Sequence, residues 1–228
     1  TIRAIGVRIF SDGRNPTSKD SLAVERRDAR SARRRRDRYL MRRATLLASL
    51  KVHGLMPADP AEARKLADRD PYDLRVRALS EALHPHDIGR ALFHLNQRRG
   101  FKSNRKADRR RKDKDDGKIR QAEIDLDRAM ADAGTDPLGQ FLHSLDTKRI
   151  RMKADGSGYE FYPQRRHYEH EFARIWDEQA KHHPELMTPA ARERLHKIIF
   201  HQRDLRKQKV GLCTFLEELR LPKAHPLF

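Results

Sequence analysis

The sequence predicts a mainly α protein, and three observations carry that reading. Residues 22–50 contain neither glycine nor proline. Asp59-Pro60, Asp70-Pro71 and Thr188-Pro189 each set a side-chain oxygen before a proline, the pattern of a helix cap followed by a residue suited to the first helical position. Only 37% of the 228 residues are hydrophobic and another 37% are charged, so the core must be thin and made from amphipathic helices.

The elements follow in order. Ile5-Gly6-Val7-Arg8-Ile9-Phe10 alternates in character and runs into Ser11-Asp12-Gly13, which reads as a β-strand and a turn. No partner strand is evident downstream, so the strand is expected to belong to a sheet lying mostly outside this chain. Asn15-Pro16-Thr17-Ser18 reads as a loop, with Ser18 or Ser21 available as a cap. One long helix is expected over 22–50. In its second half Tyr39, Leu40, Leu46, Leu47 and Leu50 recur at helical spacing, so that half can lie on a core.

Beyond His53-Gly54 a series of shorter helices is expected. Two start at Pro60 and Pro71. A third runs from about Pro85 to Arg99, with Ile88, Leu92 and Leu95 on one face and Gly100 as its stop. Residues 104–118 are almost entirely charged and read as a solvated loop. Further helices are expected at about 119–133, 137–145, 166–181 and 189–202, the last turning Leu195, Ile198 and Ile199 inward. Arg149–Met152 and Tyr159–Tyr162 flank Gly156-Ser157-Gly158, the pattern of a small β-hairpin.

Charge distribution narrows the function. The net charge is +18. Residues 1–60 hold 15 Lys and Arg against 6 Asp and Glu, residues 61–120 hold 18 against 10, and residues 121–228 hold 18 against 17. The positive field therefore sits in the first half, which points to a polyanionic partner there. No stretch has the run of apolar residues that a membrane span needs, and no signal peptide is visible. The chain starts with Thr1 rather than Met, so an excerpt of a longer protein is expected. Cys213 is the only cysteine, which excludes internal disulfides and cysteine-cluster zinc sites and suits a reducing compartment. It reads as a small core residue.

Residues 26–43 read RRDARSARRRRDRYLMRR. The arginines Arg26, Arg27, Arg30, Arg33, Arg34, Arg35, Arg36, Arg38, Arg42 and Arg43 face only two aspartates, Asp28 and Asp37. At 100° per residue they fall on every side of the helix. Pairs one turn apart, such as Arg30/Arg34 and Arg34/Arg38, each cost about 0.2–0.5 kcal/mol in isolation. The stretch contains no lysine, and a guanidinium grips phosphate oxygens in pairs and stacks on bases as an ammonium does not. The plain alternative is a solvated charged helix, but such helices mix Glu with Lys and Arg.

A second candidate site is His94-Leu95-Asn96-Gln97-Arg98-Arg99-Gly100-Phe101-Lys102-Ser103-Asn104-Arg105. Phe101 can stack on a base while Arg98, Arg99, Lys102, Ser103 and Arg105 meet the backbone. A glycine helix cap with arginines complementing the helix dipole fits the same spacing, and both readings stand at this point. His84/His86, His182/His183 and His167/His170 have no companion cysteine or carboxylate at ligand spacing, so packing or surface roles are expected and no metal site is assigned. Asp12-Gly13 reads as a turn. No paired carboxylates, nucleophile-base pair or glycine-rich phosphate loop stands out, so no catalytic residue is assigned.

Taken in order, these segments resemble the CRISPR-associated type II RNA-guided DNA endonucleases (Cas nine), particularly the compact type II-C branch. Gly6-Val7-Arg8-Ile9-Phe10 looks like an edge strand of that family's split RuvC-like nuclease domain. Glu25-Arg26-Arg27 and Arg30-Ser31-Ala32-Arg33-Arg34 are similar to its arginine-rich bridge helix. Leu92-Phe93-His94-Leu95 with Arg98-Arg99-Gly100-Phe101 resembles the start of the recognition lobe. Phe200-His201-Gln202-Arg203, Lys209-Val210-Gly211-Leu212-Cys213 and Ala224-His225-Pro226-Leu227-Phe228 look like the same lobe further along.

The resemblance implies the end of a RuvC-like segment at 1–20, the bridge helix at 21–50, and an α-helical recognition lobe with a small β-hairpin at 51–228. It implies guide RNA and target DNA as partners, in bacterial cytoplasm, within antiviral defence. The full-length family protein would be a hydrolase of phosphodiester bonds using magnesium, with its catalytic residues outside this chain. A protein inhibitor (anti-CRISPR) on the basic face is also compatible. The rival readings are a smaller transposon-encoded guide-RNA nuclease, which should lack the long helical region, and a ribosome-associated or scaffold protein binding structured RNAs without a guide.

Overall fold

A computed structural model describes residues 6–7, 13–100, 102, 114–145 and 161–202, without the side chains of 114–119. Most of the expected strand at 5–10, Ser11, Asp12, Phe101, residues 103–113, the expected hairpin except Phe161 and Tyr162, and everything after Gln202, Cys213 included, lie outside the described residues.

Eight helices make up the described part: α1 (Ala23–Val52), α2 (Pro60–Ala67), α3 (Pro71–Arg77), α4 (Pro85–Leu95), α5 (Lys114–Asp132), α6 (Leu138–Ser144), α7 (Arg165–His182) and α8 (Pro189–Phe200). Among the described residues there is no strand; Arg14 and Ser21 form an isolated antiparallel bridge. Gly6 and Val7 are exposed.

The caps act as the sequence predicts. Asp59 accepts from the amides of Ala61 and Glu62, Asp70 from that of Tyr72, and Thr188 from that of Ala191. Each satisfies a donor that the first helical turn leaves without an intrahelical partner. Before α1, Ser21 Oγ accepts from the Ala23 amide at 3.3 Å, whereas Ser18 Oγ turns to the Asp20 amide.

Two helix boundaries correct the sequence reading. Helix α4 ends at Leu95, with Asn96 as its cap, and not near Arg99. Gly100 does take a left-handed conformation, φ +72°, but beyond that end, so it does not cap α4. Helix α5 begins at Lys114, so residues 114–118 continue a helix where a charged loop was expected. A charge-dense stretch propagates a helix readily when an amphipathic one lies directly downstream.

The core is one apolar cluster. Helix α4 packs on α1, α2, α3 and α7; α1 and α7 both also pack on α8, and α6 packs on α3 and α7. Leu46 and Leu50 of α1, Ile88, Leu92 and Leu95 of α4, Ile175 of α7 and Leu195 and Ile199 of α8 are fully buried. Leu40, expected on the core side, is exposed, and Ile198 is half-buried. Gly89 explains how α4 reaches the centre: a Cβ there would lie 1.6 Å from the Leu55 carbonyl oxygen, so only glycine permits that crossing.

A buried polar network ties α3, α4, α6 and α7 together. Arg75, 2% exposed, donates from Nε and Nη2 to the carboxylate of the fully buried Glu171 at 2.6 and 2.5 Å. Glu171 also accepts the Gly139 amide at 3.0 Å. Arg75 Nη1 lies 3.3 Å from His94 Nδ1. An arginine has only donors, so Nδ1 accepts and the ring carries its proton on Nε2.

Burial, then Arg75, Arg90 and Arg98, push the His94 pKa down to about 3 from 6.5. The folded chain thus refuses a proton that the unfolded chain accepts below about pH 6.5. This contribution to stability is complete above that pH and declines as pH falls toward 3. Between about pH 7.5 and 5.5 His94 accounts for a loss of about 1.4 kcal/mol. His94→Gln keeps an acceptor for Arg75 and removes the titration. Urea denaturation at both pH values should show a smaller difference for the variant; an equal difference would place the titration elsewhere.

Candidate nucleic-acid interface

Helix α1 has 30 residues, a rod of about 45 Å at 1.5 Å per residue. Its buried residues, Leu46, Ser49 and Leu50, all lie in its last third. Residues 25–38 are exposed without interruption, so Arg26, Arg27, Arg30, Arg33, Arg34, Arg35, Arg36 and Arg38 stand in solvent around the whole circumference. Among the described residues no carboxylate forms an ion pair with any of them. Arg27 folds back, its Nε donating to the Ala23 carbonyl at 3.3 Å. A run of uncompensated guanidiniums on a helix held at one end by the core is a surface suited to a polyanion.

The last two arginines of the run anchor the rod. Arg42 is half-buried and donates from Nε to Asn96 Oδ1 at 2.8 Å; its guanidinium also lies over the Tyr39 ring at 5.8 Å. Arg43 lies over Phe93 at 5.6 Å. Burial lowers the Arg42 pKa, with Tyr39 opposing. Asn96 is fully buried, so this bond fixes α1 to the end of α4.

The second candidate segment divides into two kinds of cation. Arg98 and Lys102 are exposed. Arg99 is half-buried and donates to the carbonyls of Ile199, at 3.4 Å, and His201. Burial first, then Arg42 and Arg165, lower its pKa to about 10. The arginine that the sequence set beside a helix dipole therefore serves the C-terminal end of α8, not that of α4. Phe101, Ser103 and Arg105 lie outside the described residues.

Sequence reasoning missed Arg165 and Asn96, which organise this region, because their partners are remote in the chain. Among the described residues no group of three or more His, Cys, Asp or Glu could hold a metal ion. No helix there is long and apolar enough to cross a membrane.

Fold and surface together define a helical bundle with an uncovered cationic rod. No family model matches the chain. In sequence the chain is 29% identical to the CRISPR-associated endonuclease Cas9 of Campylobacter jejuni, over 99% of its own length and 24% of that protein's. In fold it matches the crystal structure of Campylobacter jejuni Cas9 in complex with sgRNA and target DNA, with TM-score 0.60, 24% identity, and coverage of 82% of this chain and 26% of that one. St1Cas9, in an assembly with sgRNA, tDNA20 and AcrIIA6, gives TM-score 0.62 at 22% identity, covering 83% of this chain and 22% of its own. The chain thus resembles a segment of Cas9, and spans about a quarter of the length of the curated relative it matches.

Proposed function

We propose that this chain is the guide-RNA- and RNA–DNA-heteroduplex-binding portion of an RNA-guided DNA endonuclease acting in bacterial antiviral defence. Residues 21–50 serve as the bridge helix, 51–228 as the recognition lobe, and 1–20 as the end of a RuvC-like segment. The observation that carries the reading is the exposed arginine rod at 26–38, which has no ion pair among the described residues, joined to a bundle that resembles Cas9 in both sequence and fold.

In such an enzyme base pairing reads the target, while protein cations hold the backbone of the guide. A rod charged on all sides fits that task, because a strand curling past it meets guanidinium forks at every azimuth. Holding the strand in helical geometry before it meets DNA removes part of the ordering entropy from the pairing step. Cleavage of phosphodiester bonds, with magnesium, is assigned to the longer protein in the cytoplasm. The same rod would receive an acidic protein inhibitor in place of phosphate.

Competition separates this reading from a general RNA-binding scaffold. A guide RNA with its repeat-derived scaffold should displace a labelled guide at least tenfold better than bulk tRNA at about 0.15 M salt, where sequence-independent contacts are already weakened. Equal competition by the two RNAs would favour the scaffold.

A further inference from the structure

We infer that Arg165 is a positioning residue for this interface: sealed inside the protein, it fastens the backbone of Arg99 and Gly100 and, through Gln202, that of Lys102 to the C-terminal end of α8, and so sets where Arg98 and Lys102 present their charge. The inference rests on the guide-RNA reading above and deepens it.

Arg165 opens α7 and is 4% exposed. Its Nε donates to the Arg99 carbonyl at 2.8 Å and its Nη1 to the Phe200 carbonyl at 2.7 Å. Its Nη2 donates to the Gly100 carbonyl at 3.4 Å and to Gln202 Oε1 at 3.0 Å. Gln202 Nε2 then donates to the Lys102 carbonyl at 2.8 Å, which closes a ring of protein groups around both segments. Arg99 reinforces it from the other side through the Ile199 and His201 carbonyls.

The chemistry at both segments requires a donor-only fork. Arg98, Arg99, Gly100 and Lys102 lie past the end of α4, and Phe200 ends α8, so their carbonyls lack helical partners. A buried carbonyl without a donor is destabilising. Arg165 answers two segments at once with a planar group that has no acceptor. Gly100 shows how tightly they pass: a Cβ there would meet the Gln164 carbonyl group at 2.5 Å and the Arg165 nitrogen at 2.6 Å. With its donors turned to protein oxygens and its side chain covered, Arg165 is not placed to grip phosphate. Arg98 and Lys102, on the segment it holds, are exposed.

The test uses the full chain and a fluorescein-labelled RNA of about 20 nucleotides, the length of a guide's pairing segment. Arg165→Lys keeps the charge and loses the fork. Arg165→Met loses both. If the residue positions, both variants weaken binding by about tenfold, the effect of misplacing two phosphate contacts. Arg98→Ala, which weakens the wild-type chain severalfold, then adds little in the Arg165→Met background.

Wild-type affinity in Arg165→Lys, or an Arg98→Ala effect that multiplies unchanged with Arg165→Met, would overturn the inference. Gln202→Leu cuts only the outer clip and covers the case in which Arg165 variants fail to fold. It should speed trypsin cleavage after Arg98 and Arg99 and weaken binding, with the bundle still protected; unchanged cleavage and affinity would equally overturn the inference. Trypsin reads the latch without RNA. A wild-type chain that binds no RNA, yet shows faster cleavage in Gln202→Leu, defeats the guide-RNA reading and leaves the latch standing as structure alone.

Discussion

Replacing Arg33, Arg34, Arg35 and Arg36 together with alanine is expected to weaken RNA binding sharply while leaving the chain at least as stable. All four are exposed, and among the described residues none is held in an ion pair, so their removal breaks no ion pair there. Alanine is the best helix former, and the change removes like-charge pairs with Arg30 and Arg38, each worth a few tenths of a kcal/mol. Thermal melting should therefore hold or rise.

Binding moves the other way. Each lost phosphate contact lowers the slope of log affinity against log salt by about 0.7–0.9. Four consecutive helical residues face four directions around the rod. A polyanion wrapped around the rod would lose all four contacts and about 3 units of slope, whereas a strand lying along one side would lose about half of that. Fluorescence anisotropy between about 0.05 and 0.3 M salt measures the difference. A fall in melting temperature with an unchanged slope would make the arginine run structural and remove the basis for a phosphate grip.

The arginine rod was legible in the sequence because it is local: residue type, spacing and the absence of breakers all lie within 26–43. The caps were legible for the same reason, since Asp59, Asp70 and Thr188 each meet an amide two or three residues away. The segment after α4 was not. Spacing alone made Arg98, Arg99 and Lys102 equivalent, and what separates them is a set of carbonyls and a guanidinium some 65 to 102 positions distant in the chain. The one sequence signal at Arg165 was its place at the start of an amphipathic helix, where a cation opposes the dipole and so calls for another reason to be there. Leu40 misled in the opposite sense. Its spacing matched the core residues of α1, but the first buried residue of that helix is Leu46, and at Leu40 the side chain stays exposed.

The Arg75–Glu171 pair was equally hidden, being 96 positions apart, and it carries the largest stability effect expected here. Arg75 lies on the buried part of α3 beside Leu74, with the buried Ala78 just past the helix end, an arginine among apolar neighbours. Burial opposes its charge, and the adjoining Glu171 carboxylate outweighs that, so its pKa is raised. Glu171 has no room to relax: a Cβ at Gly139 would sit 2.1 Å from its Oε1. Arg75→Met strands a carboxylate in the core and should destabilise the chain by about 3–5 kcal/mol, and Glu171→Leu strands the guanidinium with a similar effect.

The double variant Arg75→Met/Glu171→Leu removes both charges and should recover most of that loss. A deficit of about 1–3 kcal/mol should remain, because the Gly139 amide loses its acceptor. Urea denaturation of the four chains measures the cycle. A double variant as unstable as either single one would mean that shape, and not charge pairing, holds α3, α6 and α7 together. The pair is neutral as a whole and sealed from solvent, so the salt slope of RNA binding should stay at its wild-type value in the folded double variant. The bundle can thus be weakened without touching the rod, as expected when the rod's exposed arginines make the contacts and the core only holds the rod's end.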